Sequence, residues 1–150
     1  MRRYLCVGLA ATALGACSSY QPATVHDIVG MKPERISPGL MRRYISTDNS
    51  SLAIYDMRKG VKVSVHTHGS EQVSYVQSGR IRFVVGGEVH DLRRGQAITI
   101  PVNAPHSIEA LEDSIEIDYF VPSRSDWNKD ADDQQETPTP SGQPGERRSS

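Results

Sequence analysis

The 150-residue chain carries 17 basic and 18 acidic side chains, a formal net charge of -1, spread along the sequence without a basic stripe. That balance excludes a nucleic-acid partner held through its phosphates. Cys6 and Cys17 are the only cysteines, so neither a disulfide framework nor cysteine catalysis is expected.

Taken in chain order, the first segment opens with Arg2 and Arg3 and continues as an apolar run from Leu5 to Ala16, too short to span a bilayer comfortably. It reads as a signal peptide over residues 1–17. Its end, Leu14-Gly15-Ala16-Cys17, resembles the bacterial lipobox, which predicts cleavage before Cys17 and lipidation of that thiol. The expected location is therefore exported, anchored to the membrane through lipid alone. Ser18 stands where an aspartate would favour the inner membrane, pointing to the outer membrane facing the periplasm. Residues 18–30 read as a tether. Pro33, Pro38 and Gly39 interrupt any early helix and leave at most a turn around Val25 to Val29.

From Ser51 to Val121 short runs rich in Val, Ile, Tyr and Phe alternate with Lys59-Gly60, Ser78-Gly79, Gly86-Gly87, Arg94-Gly95 and Asn103-Ala104-Pro105. This punctuation predicts strands at 41–46, 51–57, 61–66, 72–77, 80–85, 88–92, 97–101, 106–110 and 114–121, an all-β single domain built as an antiparallel sandwich or barrel over 31–127. Residues 128–150 combine charge, Gln, Pro, Gly and Ser with almost nothing apolar, and are expected to be disordered.

His66, His68 and Gln72 share parity, so on one extended strand they would project from one face, with Glu71 on the other. His106 follows a Pro-bounded turn from which a neighbouring strand could carry its imidazole to the same place. Three imidazoles and an amide oxygen would suit one divalent metal ion, whether zinc, nickel, iron or manganese. Glu71 is a rival ligand if the strand bulges. His26 and His90 lack partners at useful spacing and read as surface residues.

These residues resemble the two motifs of the cupin superfamily. Gly60, His66, His68 and Gly79 match the first motif, with Gln72 in its glutamate position. Gly95, Pro101 and His106 match the second, with Asn103 in a glycine position that Asn tolerates, and Ala110 in place of the final asparagine. The resemblance implies a double-stranded β-helix, the cupin jelly-roll barrel. A neutral glutamine ligand would leave the ion a stronger Lewis acid than a carboxylate would, which disfavours an iron dioxygenase.

A narrower resemblance, over roughly residues 31–127, is to the KdgF-type cupins of pectin and alginate degradation. It rests on His-x-His-x-x-x-Gln, YVQSGRIRFVVGGE, IPVNAPHSIEALED and DYFVPSRSDW. The resemblance implies ring opening of 4,5-unsaturated monouronates to linear keto-uronates, with Asp118, Phe120 and Arg124 as the functional set beside the metal. Asp118 would shuttle a proton, Arg124 would hold the uronate carboxylate by two hydrogen bonds, and Phe120 would shape the pocket. Strand parity puts Asp118 and Phe120 on one face, and predicts that Ile115, Ile117, Tyr119 and Val121 form the apolar face that packs. Arg43 and Arg82 are weaker carboxylate-binding candidates. A homodimer through the sheets is expected. Two other readings stay open: another metal cupin enzyme, such as a dioxygenase or a lyase of small acids, and a non-catalytic sugar-acid or metal-binding module.

Overall fold

The computed structural model describes residues 22–127; the leader with Cys17, the first residues of the tether and the segment 128–150 lie outside them. Ten strands follow one another with no helix among the described residues: β1 (Glu34–Ser37), β2 (Leu40–Ser46), β3 (Ser51–Met57), β4 (Lys62–His66), β5 (Glu71–Ser78), β6 (Arg80–Val85), β7 (Glu88–Arg93), β8 (Ala97–Ile100), β9 (His106–Ala110) and β10 (Ser114–Val121). Nine of them coincide with the predicted runs to within a residue or two. The tenth, β1, gives no sequence signal because Pro33 and Pro38 flank it. Prolines are tolerated there since β1 is an edge strand, paired only with β2.

The strands form two antiparallel sheets, one in the order β1-β2-β3-β10-β5-β8 and the other β4-β9-β6-β7. This is the jelly-roll barrel, with the two inner faces packed on each other. Its apolar end joins Ile81, Phe83, Ile108, Ala110 and Leu92 of the four-stranded sheet to Leu40, Met57, Val76 and Ile100 of the six-stranded one. A smaller cluster of Ala53, Phe120 and Trp127 packs elsewhere on the larger sheet.

Between these clusters the inner face of the six-stranded sheet is polar, and its register sets the functional side chains in rows. One row runs Glu34, Arg42, Tyr55, Glu116, Val76 across β1, β2, β3, β10 and β5. The next runs Tyr44, Ala53, Asp118, Ser74, and a third Ser51, Phe120, Gln72.

One expectation is reversed. On β10 it is Ser114, Glu116, Asp118 and Phe120 that are buried, whereas Tyr119 and Val121 are 45% and 46% exposed. The register explains this: β10 lies between β3 and β5, and a slip of one residue would bury Tyr119 only by expelling Asp118 and Phe120 from their rows. The outward residues form a contiguous apolar surface, because Tyr119 stands opposite Val73 and Ile117 opposite Tyr75.

Two glycines of the first motif separate conformational strain from steric need. Gly60 and Gly79 both have positive φ, 85° and 78°, but a Cβ on Gly60 would meet open space, whereas on Gly79 it would strike the Asp113 carbonyl and Ser114. Gly60→Ala is expected to cost about 1–2 kcal/mol. Gly79→Ala should cost clearly more, since backbone must move; urea unfolding of the two variants checks the order.

Candidate metal centre

The three histidines converge, but by a different route from a shared strand. His66 ends β4 in the four-stranded sheet, His68 lies in the loop that crosses between sheets, and Gln72 is the second residue of β5 in the other sheet. The segment cannot continue as one strand because the chain must turn the barrel's corner between His66 and Glu71. Gln72 nevertheless faces inward, since the even residues of β5 are buried, and Glu71 is exposed. His106 opens β9 opposite His66 in the register. The turn before it uses Asn103 at φ 60°, the one non-glycine residue with positive φ among the described residues.

Each imidazole is aimed by a local hydrogen bond. Nδ1 of His66, His68 and His106 lies 3.0, 2.9 and 2.9 Å from the carbonyl oxygens of Ser64, Ser70 and Ala104. A carbonyl only accepts, so each Nδ1 donates, and in the neutral ring the lone pair falls on Nε2. Burial lowers the pKa of His68 and of His106, which favours that neutral form. The nitrogen atoms that the three rings offer lie within 4.8 Å of one another, so these residues could hold one metal ion.

Two further observations test that fit. His106 is 1% exposed and its Nε2 has no hydrogen-bond partner among the described residues. Gln72 Nε2 donates to Ser74 Oγ at 2.8 Å and to Asp118 Oδ2 at 3.0 Å, which turns Oε1 toward His68 Nε2 at 2.9 Å. With Nδ1 carrying the ring proton, that contact sets two acceptors face to face. Only a cation or an added proton relieves it, and burial disfavours the proton. The donor set therefore suits a divalent ion.

Behind Gln72 stands a buried carboxyl pair. Asp118, 2% exposed, accepts from Ser74 Oγ at 2.7 Å and from Gln72. Burial raises its pKa to about 6, against the opposing effect of those hydrogen bonds and the Arg124 charge. Glu116, 1% exposed with Oε1 unpartnered, is pushed well above the carboxylate range by burial and then by the charge of Asp118. Of the two, Glu116 is therefore the more strongly biased toward its protonated form, and Asp118 is the one that more readily carries the negative charge. Sequence reading missed Glu116, although the parity that selects Asp118 and Phe120 also selects it.

Phe120 packs edge-on against His68, with ring centroids 5.4 Å apart, and so braces that imidazole as well as lining the cavity. Arg124 lies 5.0 Å from the Phe120 ring, but both oxygens of Asp126 occupy its Nε and Nη2 at 2.9 and 2.8 Å. Its fork is thus not open as expected from the sequence. Arg43 and Arg82 are paired with Asp56 and Asp91 away from the site. His26 is exposed, and His90 lies on β7 remote from the other imidazoles.

The cavity that reaches these groups measures about 110 Å³, and its lining includes His66, Gln72, Asp118, Glu116, Phe120 and Arg124 together with Arg42 and Tyr55. Larger clefts of about 550 and 570 Å³ lie over salt-bridged arginines on the outside and touch none of the imidazoles. Competition against a chromogenic chelator should find that His106→Ala weakens divalent-metal binding by more than about 10–100-fold, the cost of losing even an outer-shell group. Glu71→Ala should leave it unchanged.

Residues 53–121 match the family model described as a cupin domain. The pectin degradation protein KdgF of Dickeya dadantii is 31% identical over 97 residues, which cover 63% of this chain and 88% of that one. The solved structure of KdgF from Halomonas sp. superposes with a TM-score of 0.67 at 27% identity, over 71% of this chain and 99% of the other. An RmlC-like cupin from Shewanella frigidimarina superposes with a TM-score of 0.63 at 29% identity, over 66% and 90%. Sequence, barrel and the meeting of the imidazoles at its corner agree on one assignment: this chain belongs to the KdgF-like cupins.

Proposed function

We propose that the chain is a metal-dependent ring-opening enzyme that converts 4,5-unsaturated monouronates to linear keto-uronates. The observation that carries this reading is Asp118, a buried carboxylate on the cavity wall, tied through one amide to the place where the imidazoles converge. The likeness to a protein named for pectin degradation supports the substrate class.

In this reading His66, His68, His106 and the Oε1 of Gln72 are the ligands. A divalent ion there would, when bound, act as a Lewis acid that polarises substrate oxygens and stabilises developing negative charge. All four protein donors are neutral, so none offsets that charge. Asp118 accepts the proton of the anomeric hydroxyl as the bond from the anomeric carbon to the ring oxygen breaks, leaving an aldehyde and an enolate. It then returns the proton to the enolate carbon that becomes saturated, giving the keto acid. Ser74 and Gln72 hold both carboxylate oxygens in place, and burial biases Glu116 beside them toward its uncharged form. Phe120 excludes water from the inner wall and fixes the His68 ring.

The alkene absorbance of unsaturated galacturonate should decay faster with metal-loaded protein than in buffer, and no acceleration would sink the proposal. Asp118→Asn is expected to lower kcat/KM by at least about 100-fold. Proton acceptance needs the ionised carboxylate, so the rate should fall as pH drops through the Asp118 pKa of about 6, or lower where a bound cation favours the anion. The limb should vanish in Asp118→Asn.

We propose further that Cys17 carries the lipid anchor at the outer membrane facing the periplasm, and that two copies pair through the outward apolar surface around Val73, Tyr75, Tyr119 and Val121. An alkyne fatty acid should label the wild type and not Cys17→Ser, and light scattering of the solubilised protein should return a dimer.

A further inference from the structure

Arg42 has no counterpart in the motifs, yet it is the second guanidinium of the cavity. It rises from the inner face of β2 in the row of Glu116 and Tyr55, and its side chain is 10% exposed. Tyr44 and Trp127 flank it, with its Cζ 4.7 and 4.3 Å from their ring centroids, so its plane is fixed by stacking. Trp127 also lies 4.9 Å from the Cζ of Arg124, so one indole contacts both guanidiniums.

The two guanidiniums differ in what holds them. Arg124 is bound by both oxygens of an aspartate two residues away. Arg42 donates from Nε and Nη2, at 3.2 and 2.8 Å, to a single oxygen of Glu34. Glu34 sits on β1, a four-residue edge strand with a register shift, and its side chain is 44% exposed. Next to it along the strand, Ile36 lines the same cavity while being 43% exposed. The cavity volume of about 110 Å³ falls below the range of about 300–1,000 Å³ usual for small-molecule pockets. A sugar acid seated there would need more room than this, and β1, paired only with β2, is the part of the wall with the fewest attachments.

We infer that Arg42 is a carboxylate seat of this site and that Glu34 is its internal plug, displaced with β1 when a sugar acid enters. The inference rests on the uronate reading above and names the residue that recognises the acid group. Arg124, with its fork filled, braces Phe120 and Trp127. No covalent change is involved; one carboxylate replaces another on the same pair of N–H donors.

The test uses the metal-loaded full chain, with calorimetric binding of D-galacturonate, which lacks the alkene and so cannot yield the keto product, and of D-galactose as the neutral parent. KM and kcat on the unsaturated uronate are read alongside. Glu34→Gln, an exposed edge substitution expected to fold, should tighten galacturonate binding and lower KM by about threefold or more, with kcat and galactose binding unchanged. Arg42→Gln should weaken galacturonate by about tenfold or more and spare galactose. Arg42→Lys, which keeps charge and stem, should be intermediate, and its melting temperature reports folding. Weaker binding in Glu34→Gln would overturn the plug, since Glu34 would then only orient Arg42. Turnover by wild type with undiminished uronate preference in both Arg42 variants would remove the seat and leave the ring-opening function standing. Absence of both turnover and uronate binding in wild type would remove both.

Discussion

His68 Nε2 and Gln72 Oε1 stand 2.9 Å apart, and the hydrogen bonds on their far sides leave each an acceptor toward the other. Much of the polar interior follows from that one confrontation. Gln72 must turn its oxygen inward, so its nitrogen must find acceptors behind it, and Ser74 and Asp118 supply them. Those two donors favour the anion of Asp118, and its charge together with burial pushes Glu116 toward the uncharged form. A cation held in front would be joined to the carboxylate behind through a single amide. The charge state of one side is therefore felt on the other without direct contact.

The barrel makes this arrangement affordable by separating its tasks. Phe83, Ile81, Ile100 and Val76, all fully buried, form an apolar plug that holds the two sheets together. The other end of the six-stranded sheet then carries Arg42, Glu116, Asp118 and Gln72 without being asked to supply the main hydrophobic contact. Burying such groups costs free energy even when most of them are paired. Asp113 and Asp91, held by exposed arginines, lie outside and keep their charge readily.

The strands were legible because turn residues punctuate them: Gly60, Gly79, Gly86, Gly87 and Gly95 all adopt positive φ at or beside a strand end. The metal residues were legible by spacing, although the reason given for it, one shared strand, was not the physical one. Parity survives across the corner because the chain re-enters the second sheet at Glu71 with its even residues inward. Arg42, Tyr55 and Glu116 were missed for a common reason. An alternating pattern identifies two faces but not which of them is inside, and the usual assumption that the apolar one packs fails where a polar site occupies the interior. Glu34 was invisible because its strand is defined only by pairing with β2.

Trp127 ends the described chain behind the cavity wall, with the Arg42 and Arg124 guanidiniums 4.3 and 4.9 Å from its ring and its carbonyl accepting from the Tyr44 hydroxyl 83 residues earlier in sequence. The cavity wall is therefore incomplete until the last stretch of the domain has left the ribosome and folded back. The pocket is finished after the metal-binding residues have already been made. One indole thus helps to place both guanidiniums, so a substitution at Trp127 would disturb Arg42 and Arg124 together, although no motif of the sequence links the three.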